Sequence, residues 1–171
     1  TKASWTVRSA ESLAADIAHA MQTARSGRPG PVHLSLPVDI LDQIVSPAAV
    51  MFPSGQDFAP TVLPLAPDVA AAVVDICRKA SRPLILAGPM LATPAGRKKL
   101  TTLGAALAVP TIAMESPRGI NDPSLGAFAE ILKSADLIVL LGKPSDFTLR
   151  FAEAPFISAS VRFVVIDPER A

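Results

Sequence analysis

"ADLIVLLG", residues 135–142, is the stretch that decides the fold. Five consecutive large aliphatic residues, Leu137 to Leu141, leave no polar face, and Gly142 stops the run. An antiparallel strand with one wet face would alternate. A strand buried on both sides does not, and that is the mark of a parallel sheet. Working outward, "PLILAG" (83–88), "VPTIAM" (109–114) and "VRFVVID" (161–167) repeat the pattern. Helical stretches separate them. Pro67 and Asp68 open one, with Val69, Val73 and Ile76 on one face. Thr93 caps and Pro94 starts a second, which packs Leu100, Leu103 and Leu107. A third carries Phe128, Ile131 and Leu132. The expected class is therefore α/β, a Rossmann-like parallel sheet with helices on both faces.

Upstream lies a different piece. Residues 9–25 carry Leu13, Ile17, Met21 and Ala24 near the helical period, with Ser9 as expected N-cap. Gly27, Pro29, Gly30 and Pro31 end that helix, and "VHLSLP" follows as a short strand. Nothing earlier in the chain reads as a strand to pair with it. From Val38 to Leu65 the periodicity dissolves among Pro47, Pro53, Pro60 and Pro64, as in an extended linker. The expected organisation is a helix–strand remnant of another α/β domain over 1–40, a linker over 41–66, and a central Rossmann-like domain over 67–171, open to truncation at its C-terminal end. Residues 1–36 are expected to be poorly supported in this chain or to pack on a neighbouring molecule.

Composition narrows the function classes. Half of the 171 residues are apolar, and sixteen Lys plus Arg balance fifteen Asp plus Glu to a net charge of +1. Such a surface offers no electrostatic footprint for nucleic acid or an anionic membrane. Cys77, the single cysteine, is expected on the apolar side of its helix as an inert thiol. Two histidines, His19 and His33, lie apart with no nucleophile or acid beside them, and no metal-ligand spacing occurs. No apolar run reaches the roughly 20 residues a membrane helix needs. "TKASWTV" lacks the features of a secretion signal and an initiating Met. The chain is expected to be cytoplasmic and cut from something longer.

Right-handed crossovers place the strand C-termini, Gly88, Met114 with Glu115, Gly142 and Asp167, along one edge, where open α/β sheets bind ligands. "AGPMLATP" stands where a dinucleotide fold has its phosphate loop. It has no G-x-G-x-x-G, so a glycine turn for a tight connection and an anion seat at the helix start both stay open. Asp167 reads equally as a ribose ligand or as the solvated start of a "DPE" turn. Arg118 and Arg150 could contact phosphate or adenine, though each alone reads as structural, and the "RKK" of 97–99 reads as a solvated helix face.

The ordered series "SGRPGPVHLSLPVDI" (26–40), "RPLILAG" (82–88), "ADLIVLLGKPSDFTLRF" (135–151) and "VVIDPE" (164–169) resembles thiamin-diphosphate-dependent enzymes of the acetolactate synthase, oxalyl-CoA decarboxylase and benzoylformate decarboxylase group. The resemblance implies the end of the pyrimidine-binding domain followed by the central domain. It implies an enzyme parent, a lyase or transferase acting on 2-oxo acids or acyl-CoA by decarboxylation or acetolactate synthase-like carboligation, with thiamin diphosphate and Mg²⁺ held by domains not in this chain. The chain itself would hold no catalytic residue and no metal. Its partners would be the missing pyrimidine- and diphosphate-binding domains, within a homo-oligomer, dimer or tetramer. FAD, ADP or coenzyme A would sit at the central domain on Arg28, Gly88, Pro89, Met90, Glu115, Ser116, Gly142, Lys143 and Asp167. Pro89 and Met90 replace a glycine-rich turn, "KPSDFTLRF" lacks the acidic-then-Arg pattern of acetolactate synthases, and the loop from Gly119 to Leu125 is short. A structural domain with no nucleotide is the alternative.

Overall fold

A computed structural model describes residues 1–168 in two compact units, 1–64 and 65 onward. The first unit holds two parallel strands, β1 (Ala3–Thr6) and β2 (Val32–Ser35), joined through helix α1 (Leu13–Arg25). "VHLS" therefore has a partner, which corrects the reading that nothing before it pairs. β1 is only four residues long and half exposed, so its pattern carried no signal. The register sets Ser4 opposite His33, where Ser4 Oγ and His33 Nδ1 lie 3.1 Å apart. Trp5 Nε1 donates to Asp16 Oδ1 at 2.8 Å and its ring lies 5.2 Å from that of His19. Both histidines thus have structural neighbours. α1 begins at Leu13, later than expected: Ser9 Oγ accepts from Ser12 N in the preceding turn. The chain then makes a short helix, α2 (Val38–Leu41), and runs without long elements to Pro64.

The second unit is a four-stranded parallel sheet with β3 (Pro83–Ala87), β4 (Thr111–Ala113), β5 (Leu137–Leu141) and β6 (Arg162–Ile166) in the order β4-β3-β5-β6. Among its described residues it has three α-helices: α3 (Pro67–Lys79), α4 (Pro94–Leu107) and α5 (Phe128–Ser134). The apolar runs lie in the middle because β3 and β5 are covered on both faces. Leu84, Leu86, Ile138 and Leu140 pack with Phe128 and Leu132 of α5 and with Leu149 and Ile157. Ile85, Ala87, Leu137 and Val139 pack on the opposite face with Cys77 and Leu100. Cys77 is buried, and burial pushes its thiol pKa up, as its inert reading requires. In α3, Val73 and Ile76 pack against the core, whereas Val69 is exposed, one turn too early to reach the sheet.

The β3–β5 pairing is fastened at both ends. At the start, Ser81 N and Arg82 N donate to the Asp136 carboxylate at 2.8 and 2.9 Å. At the far end Gly88 N donates to Leu141 O at 3.0 Å. A Cβ on Gly88 would lie 1.9 Å from Gly142 O, so the two chains approach more closely than any side chain allows. Gly88→Ala is accordingly expected to destabilise the second unit by about 3 kcal/mol or more, because backbone has to yield. A denaturant midpoint equal to the parent's would show that these loops part freely.

Candidate functional site at the strand C-termini

The sheet order makes one edge of the second unit distinctive. From β3 the chain passes to β4 on one side; from β4 it crosses back over β3 to β5. The connections leaving β3 and β5 therefore diverge, and a crevice opens at their C-termini. Gly88, Pro89 and Met90 follow β3 there, and Gly142 and Lys143 follow β5. Glu115 and Ser116 follow β4, one strand to the outside, and Asp167 follows β6 on the opposite flank. With strands about 4.8 Å apart, these residues stretch over about 14 Å. Arg28 belongs to the first unit, in the turn between α1 and β2, where its carbonyl accepts from Lys2 Nζ at 3.1 Å.

The turn after β3 is closed on itself. Pro89 has no N–H, and the amides of Leu91 and Ala92 donate to the carbonyls of Gly88 and Pro89, both at 3.0 Å. Thr93 Oγ1 accepts from Gly96 N at 3.1 Å, capping α4. Gly96 abuts the backbone of Leu91, which seats the turn over the helix start. Met90 Sδ stands 4.0 Å from where a Cβ would project from Gly142. Pro89 thus offers a diphosphate no donor, and the Leu91 and Ala92 amides are already paired within the turn.

Lys143 is 3% exposed, and it too is turned inward. Its Nζ donates to Asp146 Oδ1 at 2.8 Å and to Pro144 O at 2.9 Å. Asp146 also accepts from Thr148 N and Thr148 Oγ1. Partial burial works to raise the Asp146 pKa, but the Lys143 and Thr148 hydrogen bonds outweigh it, and the carboxyl stays below its usual range. The knot fixes a strained segment. Arg150, Phe151 and Ala152 have φ of 51°, 52° and 60°. The Arg150 guanidinium lies 5.3 Å over the Phe156 ring, a packing role. Gly119 meets this segment: a Cβ there would fall 2.0 Å from Thr148 O, at a φ of +56°.

At the C-terminus of β4 an open cleft of about 380 Å³ is lined by Arg97, Met114, Glu115, Ser116 and Asp122, among others. Arg97 Nη2 pairs with Glu115 Oε1 at 2.6 Å, both half exposed. Asp122 is held down to about 2 by hydrogen bonds from Ser116 and Ser124, aided by the nearby Arg118 charge. Glu115 and Ser116 are expected from the sequence, whereas Arg97 reads there as a solvated face and no motif singles out Asp122 or Asp146. Arg97 lies one turn into a helix that begins beside the strand ends, which is the signal that could have placed it.

No protein-family profile matches the chain. Similar proteins include the oxalyl-CoA decarboxylase of Escherichia coli K12, 27% identical over 98% of this chain and 31% of that protein. The 2-hydroxyacyl-CoA lyase 1 of Dictyostelium discoideum is 25% identical over 86% of this chain and 27% of its own length. The human 2-hydroxyacyl-CoA lyase 2 is 28% identical over 96% and 32%. These homologues are thiamin-diphosphate-dependent enzymes, and the chain spans less than a third of their length. Among the described residues no helix is long and apolar enough to cross a membrane.

Two outcomes are expected. Asp122, Asp136 and Asp146 all have lowered pKa values in the fold, so each stabilises it above the unfolded carboxylate value. That contribution is lost as pH falls through the folded values, so the thermal midpoint is expected to drop between about pH 4 and pH 2, with a shallower slope in Asp122→Asn. Separately, Asp146→Ala leaves a buried ammonium unpaired and is expected to destabilise by about 2 kcal/mol, the Asp146 exposure moderating the loss. Lys143→Met is expected to recover most of it in the double variant, measured by chemical denaturation. A Lys143 that matters only to a ligand would leave both midpoints unchanged.

Proposed function

We propose that the chain is the central domain, with the end of the preceding pyrimidine-binding domain, of a thiamin-diphosphate-dependent lyase or decarboxylase. The acyl-CoA substrates named in its relatives are the substrate class proposed for the parent. The observation that carries the proposal is coverage: relatives align with nearly all of this chain, while it accounts for less than a third of each. The second unit's parallel sheet is consistent with the central-domain reading. In the parent, thiamin diphosphate would supply the electron sink for breaking the bond at the substrate carbonyl, and Mg²⁺ would anchor its diphosphate. The central domain contributes no reacting group; its work is to space and assemble the domains that do.

For the nucleotide, the closed turn after β3 supports the structural role. Met90 and Pro89 occupy the place of a phosphate cradle, and Lys143 is tied to Asp146. The β4 cleft supports a second reading, in which FAD, ADP or coenzyme A is held at the strand C-termini. Arg97 and Ser116 would take a polar group, with Gly88, Gly142, Glu115 and Asp167 along the edge.

The protein encoded by the complete gene is expected to cleave a 2-hydroxyacyl-CoA or decarboxylate oxalyl-CoA only when thiamin diphosphate and Mg²⁺ are supplied. Activity without them ends the family proposal. Titration calorimetry of the 171-residue chain with FAD, ADP and coenzyme A is expected to show no micromolar binding. A micromolar site weakened by Arg97→Ala would establish the nucleotide reading instead.

A further inference from the structure

One wall of the β4 cleft is tied together by short-range hydrogen bonds. Gly119 N donates to Ser116 O at 3.1 Å, and Asp122 N to Gly119 O at 3.0 Å. Arg118 N donates to Ser116 Oγ at 3.2 Å, and Ser124 N to Asp122 Oδ1 at 2.9 Å. The Ser116 hydroxyl in turn donates to the Asp122 carboxylate and is the largest cause of its low pKa. Ser116, Gly119, Asp122 and Ser124 all line the cleft, so its wall is one connected piece. Behind that piece stands the loop after β5. A Cβ on Gly119 would fall 2.0 Å from Thr148 O, so the wall backs directly onto the Thr148 carbonyl. Ile120 beside it packs in the same core cluster as Leu149.

Thr148 is held by a single oxygen. Asp146 Oδ1 accepts its N–H at 3.0 Å and its hydroxyl at 2.6 Å. The same oxygen accepts from Lys143 Nζ at 2.8 Å. Lys143 is buried and, like Asp146 and Thr148, lies outside the cleft lining. A buried ammonium confines its counter-charge to one place, because losing it leaves a charge uncompensated. For packing alone, an apolar residue at 143 would serve as well. What it would not do is aim a carboxylate at Thr148. We propose that Lys143 and Asp146 are positioning residues for the β4 cleft: by fixing the Thr148 carbonyl behind Gly119 they set where Ser116 and Asp122 stand, without reaching a molecule in the cleft themselves. Every residue involved belongs to the second unit, so the family reading does not bear on it.

The test separates the cleft from stability. The double variant Lys143→Met with Asp146→Ala removes both charges together, so it keeps most of the parent's stability while Thr148 loses its anchor. In the 171-residue chain, NMR titration is expected to show the Asp122 carboxyl rising from about 2 toward the ordinary carboxylate value in that variant. At about pH 3 it is then mostly protonated, where the parent's is mostly ionised. The Gly119 and Asp122 amides are expected to shift and to exchange about 10-fold faster or more. Asp146→Asn keeps an oxygen for Thr148 N and is expected to leave Asp122 near its parent value even though stability falls. Parental titration and parental amides at Ser116, Gly119 and Asp122 in the double variant would show that Ile120 and Leu149 hold the wall by packing alone, and overturn the proposal. An equal rise of Asp122 in Asp146→Asn overturns it too, because Thr148 is still held there.

Discussion

The approach of Gly88 to the Gly142 carbonyl governs the second unit, because it brings the C-termini of β3 and β5 together where their connections part. A crevice at such a point is normally available to a ligand. Here Met90 lies over Gly142, and within the turn the Leu91 and Ala92 amides pair with the carbonyls of Gly88 and Pro89. At the opposite end of the pairing Asp136 binds the amides that lead into β3, so register is set from both sides. Between these fastenings the aliphatic residues of the two strands need only be apolar and of the right size.

The loop beyond β5 follows from that arrangement. A lysine so deeply buried requires a counter-charge, and Asp146 provides it three residues later while also holding Thr148. Thr148 in turn presents its carbonyl to Gly119, where only a glycine fits. The three left-handed residues that follow are retained by this network and by the Arg150–Phe156 contact. Lys143, which resembles a ligand-binding group in the sequence, is thus used internally, whereas Glu115 and Ser116 line the open β4 cleft with Arg97 and Asp122.

Much of the site was legible as positions and little of it as roles. Glycine or polar residues after four apolar runs located the edge, since a parallel sheet puts all its C-termini on one side. Whether Lys143 faced a ligand or Asp146 was not legible, because the answer depends on how the loop folds back over the strand end. Arg97 was read as a surface charge since sequence spacing shows the face of a helix and not what lies opposite it. β1 was missed for a related reason: a four-residue, half-exposed strand has no periodicity, and its pairing with β2 is made across 29 residues of chain.

The sequence by itself determined the α/β class, the parallel sheet and the start of α4 at Thr93 and Pro94. These depend on local periodicity, on strands too apolar to face water, and on a cap whose partners lie within one turn. Only the tertiary structure decided the strand order β4-β3-β5-β6 and the closure of the turn after β3. Each of those depends on which distant segments become neighbours. Apolar content fixes that a strand is buried, while the partner beside it is chosen by long-range packing and the hand of the crossovers.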